Sequence, residues 1–238
     1  MDHPGSSRSL HLSSAKIPAA LPTAIHEPLG FAVKLQEIEI GPHRYIVRSL
    51  RDRQQFADAL GEAEAKGISS ASWSHFGQLW PAGLVLAEHV NDLMLHGQRV
   101  LEIGCGLAIP GIVLHRRGGD VTVCDHHPEC SAFLGHNLRL NGLGPLPYQD
   151  VDWTGANPKL GTFDLFIASD VLYERNHPQQ LVEFIDRHAN ARTEVVIVDP
   201  RRGQARELAR RMVEHGFVPT EPVLAPVVGY RILRYCRG

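Results

Sequence analysis

No stretch of this chain approaches the roughly 20 consecutive apolar residues that a membrane span needs. No apolar segment follows Met1, so a secretory leader is not expected. Cysteine is sparse: Cys105, Cys124, Cys130 and Cys236 are too scattered for a disulfide framework, which points to a reduced, cytoplasmic setting. Neither sign of charge dominates. With 24 Lys and Arg against 26 Asp and Glu, the formal net charge is −2, which argues against a broad electrostatic grip on nucleic acid. The Arg201, Arg202, Arg206, Arg210 and Arg211 cluster reads first as a solvated helix face. Internal repeats are also missing. What remains is an ordinary globular composition, 43% hydrophobic and 21% charged over 238 residues, enough to build one sizeable core.

Patterning divides the chain into three parts. Residues 1–30, rich in Ser, Pro, Ala and His, read as a mobile tail. Residues 31–80 form an N-terminal extension. In it, alternating residues Leu35–Ile40 and His43–Val47 flank Gly41-Pro42 as a hairpin, and 51–66 is weakly helical. Residues 81–238 alternate helix and strand. Helical periodicity covers Gly83–His96, Ile109–Arg117, Cys130–Asn141, Pro178–Ala189 and Gln204–His215. Strands are expected at Arg99–Ile103, Val121–Cys124, Leu146–Gln149, Leu165–Ser169 and Glu194–Val198. Val223–Val227 and Arg231–Tyr235 then add an antiparallel edge. The fold class is α/β: a Rossmann-like, doubly wound, mainly parallel sheet.

The most informative stretch is Val100-Leu101-Glu102-Ile103-Gly104-Cys105-Gly106-Leu107-Ala108-Ile109-Pro110-Gly111. It reads as a buried strand, a glycine turn and the start of a helix. Glycines let backbone approach a ligand closely, and the helix presents unpaired N–H groups. Asp125 closes the next strand about 20 residues on, where a ribose-binding carboxylate belongs. A dinucleotide fingerprint would need a third glycine at position 109, which is Ile109, and Gly111 comes too late. Glu102 would repel a pyrophosphate but suit a cationic group. S-adenosylmethionine carries a sulfonium, an amino acid end and no phosphate, so it is the expected cofactor and S-adenosylhomocysteine the expected product. In such sheets ligands bind beyond the carboxyl ends of the strands, a rule that gathers Glu102, Asp125, Asp150, Asp152, Trp153, Asp170 and Asp199 on one rim.

On these residues the chain resembles the class I S-adenosylmethionine-dependent methyltransferases, which have a seven-stranded sheet. Within them it is similar to the family-16 protein lysine methyltransferases. The resemblance covers roughly residues 75–215. It is carried by Leu79-Trp80-Pro81-Ala82-Gly83, the Glu102 glycine loop, Asp125, Asp152-Trp153, and Ser169-Asp170-Val171-Leu172-Tyr173 as a D-x-x-Y element. Asp199-Pro200-Arg201 is similar to the fifth-strand end of the flavoprotein-modifying branch. The family often has a third glycine where Ala108 stands.

The resemblance implies a set of roles. Trp80, Glu102, Gly104, Cys105, Gly106, Asp125, His126, Asp152, Trp153 and Ser169 would bind the cofactor. Asp125 would take the ribose hydroxyls, or alternatively cap the next helix. Trp153 would lie against adenine, or alternatively fill the core. Asp170 and Tyr173, sharing a helical face at i and i+3, would be catalytic, against the alternative of a helix cap and a buried tyrosine. The cluster Cys124, Asp125, His126, His127 and Cys130 lacks the paired spacing of a closed zinc site, so no metal is expected. The expected activity is methyl transfer to a protein lysine. A small-molecule amine or other nucleophile as acceptor, or a non-catalytic binding module, remain the alternatives. A protein substrate is the expected partner; nucleic acid and membrane are not.

Overall fold

The computed structural model describes residues 25–26, 30–220 and 227–238. Most of the expected tail lies outside the described residues, but Ile25–His26 forms a short strand, β1. It pairs antiparallel with β2 (Ala32–Ile40), which pairs in turn with β3 (His43–Leu50) across the Gly41-Pro42 turn. The expected hairpin is therefore present, with longer strands. The weak helix expected over 51–66 is not. Only α1, Glu62–Ala65, is helical there, because the polar 51–55 segment is tied down by side-chain bonds instead. A 3₁₀ turn at Trp73–Gly77 follows. Its Trp73 and Phe76 rings pack edge-on at 5.4 Å, and Phe76 meets Phe133 at 5.0 Å.

From here helices and strands alternate. The elements are α2 (Pro81–Asn91), β4 (Arg99–Ile103), α3 (Ile109–Arg116), β5 (Asp120–Asp125), α4 (Cys130–Leu140) and β6 (Tyr148–Asp150). They continue with β7 (Phe163–Ser169), α5 (His177–His188), β8 (Ala189–Asp199), α6 (Ala205–Glu214), β9 (Val218–Pro219) and β10 (Arg231–Arg237). Helix α2 starts two residues earlier than its periodicity suggests, because Pro81 suits the first helical position. It also ends at Asn91, short of His96.

Seven strands form the main sheet in the order β6-β5-β4-β7-β8-β10-β9. The first five are mutually parallel, and β10 runs antiparallel to both β8 and β9. The edge partner of β10 is Val218–Pro219, whereas the strand expected at Val223–Val227 falls largely outside the described residues. Side chains alternate across the sheet, as a pleat requires. Val100, Val123, Ile167 and Val196 face the core under α2, α3 and α4. Leu101, Cys124, Phe166 and Ile197 face the core under α5 and α6. The chain winds outward from β4 to β6, then crosses back to β7, so the strand order switches beside β4. A cleft is expected above that switch.

The N-terminal sheet is bonded to this body through α4. Asn137 accepts from the Arg48 N–H at 2.7 Å and donates to its carbonyl at 3.2 Å. One turn on, Asn141 makes the same exchange with Ile46 at 2.9 and 2.8 Å. Two side-chain amides thereby complete one edge of β3.

Candidate active site

A cleft of about 590 Å³ opens above the carboxyl ends of β4, β5 and β7. Its floor is the loop after β4. Gly104 and Gly106 both have left-handed backbones, φ 61° and 51°. A Cβ on Gly106 would stand 2.9 Å from the Phe76 carbonyl oxygen, and one on Gly104 2.9 Å from Val171. Glycine is required at both, so the loop packs tightly against Phe76 and Val171 along the cleft floor. Ala108 takes the same left-handed region, φ 55°, where a side chain is strained.

Glu102 is 2% exposed and points to the α3 side of the sheet, where it accepts the Gly111 N–H at 2.7 Å. Burial pushes its carboxyl up to about 8, against the lowering effect of that bond. The glycine that comes too late for a dinucleotide fingerprint therefore has its own task. A Cβ on Gly111 would meet both Glu102 and Val123 at 2.5 Å, so the absence of a side chain lets α3 close on the sheet. Asp125 accepts the Gly106 N–H at 2.9 Å and the His127 N–H at 3.0 Å. It anchors the glycine loop rather than capping α4, whose N-cap is Glu129. Each of its oxygens keeps a second acceptor position.

The side walls come from loops. Trp80 precedes α2 and donates its indole N–H to the His75 carbonyl at 2.8 Å. His126 is half exposed, and its carbonyl accepts from Lys66, which also pairs with Asp150. Asp152 accepts from the Thr154 backbone and hydroxyl, both at 2.8 Å, and is held below the usual carboxylate range chiefly by the backbone bond. Trp153 lies edge-on to His177 at 5.4 Å and borders Gly104. Cys105 and Ser169 also line the cleft. The twelve residues given a cofactor or catalytic role from the sequence line this one cleft, whereas Asp150 and Asp199 of the expected rim do not: Asp150 pairs with Lys66 and Asp199 is buried.

Two local expectations are corrected. Asp170 and Tyr173 do not share a helical turn. Asp170 is left-handed, φ 55°, its N–H bonded to the Val198 carbonyl at 2.9 Å, and the helix begins only at His177. Tyr173 is 47% exposed, edge-on to His177 at 4.5 Å and to His75 at 6.2 Å. Nor does Arg202 belong to a solvated helix face: it precedes α6 and, though 43% exposed, it is paired. It forks onto Asp170 with bonds of 2.7 and 2.8 Å, and its backbone N–H reaches buried Asp199 at 3.2 Å. The solvated reading holds for Arg210 and Arg211, which pair with Glu207 along α6. Cys124 and Cys130 lie in cores on opposite faces of the sheet.

Sequence reasoning missed Lys66, His75 and Phe76, because nothing in the polar 51–77 stretch marks a return to the cleft. Burial and then the nearby Arg202 guanidinium lower His75, disfavouring its charged form. Desolvation against the wall, then Asp125, Glu174 and Asp170, push the Tyr173 phenol up to about 12.

Comparison with known proteins matches residues 68–214, more than half of the chain, to the lysine methyltransferase family model. The chain belongs to that family. Histone-arginine methyltransferase METTL23 of Xenopus laevis is 30% identical over 103 residues, 40% of this chain and 44% of the relative. The electron transfer flavoprotein beta subunit lysine methyltransferase of Danio rerio is 30% identical over 129 residues, 52% and 49% of the two chains. The matched stretch thus spans about half the length of these relatives. Among solved structures, the 16S rRNA N2 G1207 methyltransferase of T. Thermophilus superposes with a TM-score of 0.63 at 17% identity. That match covers 89% of this chain and 52% of the other, and it establishes the shared fold.

Proposed function

We propose that this protein is an S-adenosylmethionine-dependent methyltransferase acting on a side-chain nitrogen of a protein, with lysine as the first candidate. The observation that carries the reading is the convergence of Glu102, Asp125 and two left-handed glycines on one cleft in a chain of this family. The residues present fit the cofactor. The glycine loop borders the space for its amino acid end, Glu102 lines the floor with a buried carboxyl whose ionised form a bound cation would favour, and Asp125 has acceptor capacity for two hydroxyls. Trp153 and His126 flank the remaining space for a purine.

When bound, the cofactor supplies an electrophilic methyl group for in-line displacement. The protein's own task is alignment and deprotonation of the acceptor. A lysine amine holds its proton up to about pH 10.4 in water. At the acceptor end, Tyr173 offers an aromatic wall that favours the neutral amine, with the His75 ring edge-on to it at 6.2 Å. Asp170, held by Arg202, orients the incoming nitrogen. Tyr173 and Arg202 are 47% and 43% exposed, so this end is open at the surface, which supports a macromolecular acceptor over a small amine. The relatives' names span arginine and lysine acceptors, and lysine is preferred here from the D-x-x-Y element and the family description. A reduced, cytoplasmic setting belongs to the same reading, supported by four free thiols.

The test is incubation of the protein with lysate and methyl-labelled cofactor. Label in protein, recovered as methyl-lysine, is expected; label only in small molecules or RNA overturns the reading. Asp170→Ala is expected to keep S-adenosylhomocysteine affinity within about twofold and to lose turnover by about a hundredfold or more. Equal loss of both would contradict the role given to Asp170.

A further inference from the structure

Beside the cleft lies a second, polar depression of about 410 Å³, lined by Lys34, Arg51, Arg53 and Asp52 among others. Three cations face one carboxylate there, and that carboxylate already accepts the Gln54 N–H at 3.1 Å. The chain as a whole is slightly acidic, so this is a local concentration of positive charge. Lys34 and Arg51 are exposed on the N-terminal sheet, and no role in the cleft accounts for them.

The trough is held in shape. Gln55 exchanges hydrogen bonds with both backbone groups of Ala32, at 2.7 and 2.8 Å. Gln78 donates to the Asp52 carbonyl at 3.1 Å, and the Ser74 hydroxyl donates to the Arg53 carbonyl. The cations are therefore presented by pinned backbone rather than by a free loop, which lowers the ordering cost of binding.

The trough also leads into the cleft. Gln78 and Leu79 line both concavities. The Arg53 guanidinium lies 5.4 Å from the Trp80 ring, and Trp80 lies 5.7 Å from His75 at the acceptor end. About three to four extended residues, at ~3.3 Å each, cover that span. At the far end Arg202 pairs with Asp170, while Glu174 stands exposed beside His177, so the cations of the trough, not the acceptor end, are what would hold an acidic segment.

We propose that this trough binds the acidic flank of a protein acceptor, with glutamate or aspartate about three to four residues from the methylated side chain. The inference rests on the protein-acceptor reading above and adds the sequence context of its target. Carboxylates opposite Lys34, Arg51 and Arg53 would steer the encounter and fix the register of the peptide.

The test uses two fluorescent peptides with a central lysine, one flanked by glutamates and one by serines, with S-adenosylhomocysteine present. The glutamate peptide is expected to bind about tenfold or more tighter at low salt, and the preference should shrink as salt is raised. Lys34→Glu with Arg51→Glu should abolish the preference while S-adenosylhomocysteine binding is unchanged. Should that pair fail to fold, Arg51→Gln alone should reduce it severalfold. Equal binding of the two peptides, or a preference that survives charge reversal, overturns the inference. So does an RNA oligomer that displaces the glutamate peptide and depends on the same cations. Lysate labelling separates the two levels. If the charge-reversed variant methylates protein as fast as the wild type, the trough has no such role and the protein-acceptor reading stands. If wild-type label appears only in small molecules or RNA, that reading itself falls.

Discussion

Glu102 packs under α3 and also lines the cleft proposed for the cofactor. Its carboxyl is sealed under α3, with the Gly111 N–H as its bonded partner and a pKa pushed up to about 8 by burial. The unfolded chain releases this proton near 4.5. Between those values the folded state holds more protons than the unfolded one, so stability falls as pH rises, by up to about 1.4 kcal/mol per unit. Thermal unfolding of the ligand-free protein from pH 5 to 8.5 should show that decline. Glu102→Gln, which can still accept the Gly111 N–H, should flatten it. An unchanged slope in the variant would mean that the carboxyl is already ionised. The Glu102 and Asp125 positions were legible in the sequence because strand ends and glycine spacing are local signals. The fork of Arg202 onto Asp170 was not, since 32 positions separate them and only the crossover through α5 and β8 brings them together.

Among the elements, α4 does more than cover the sheet. Asn137 is fully buried and satisfies both backbone groups of Arg48. Asn137→Ala should cost about 2–3 kcal/mol, because two buried polar groups lose their partner. Chemical denaturation would measure it, and a loss below about 0.5 kcal/mol would show that water replaces the amide. Helices and parallel strands were legible at nearly their observed limits, as with Arg99–Ile103, because burial on both faces writes continuous apolar runs. The left-handed turn at Asp170 and the 3₁₀ turn at Trp73–Gly77 were not. Both are imposed by tertiary contacts, the first by Val198 and Arg202, the second by the Phe76, His127 and Phe133 rings.

At the scale of the whole molecule, a switch in strand order beside β4 opens one crevice, and residues far apart in sequence meet there. The segment that follows the N-terminal sheet, with its 3₁₀ turn, closes one side of it, with Phe76 seated against Gly106 and Lys66 reaching the β5 end. The sequence pattern separated residues 31–80 from the rest, yet the cleft draws on both segments, and the family match begins at residue 68. The central proposal is that this crevice holds the adenosyl and amino acid parts of the cofactor between the β4 and β5 carboxyls, parts that S-adenosylhomocysteine shares. Calorimetric titration with S-adenosylhomocysteine tests it most directly. One site per chain is expected, weakened about tenfold or more by Asp125→Ala, which removes the acceptor proposed for the two ribose hydroxyls. Absence of heat at high ligand concentration, or full affinity in Asp125→Ala, would contradict it.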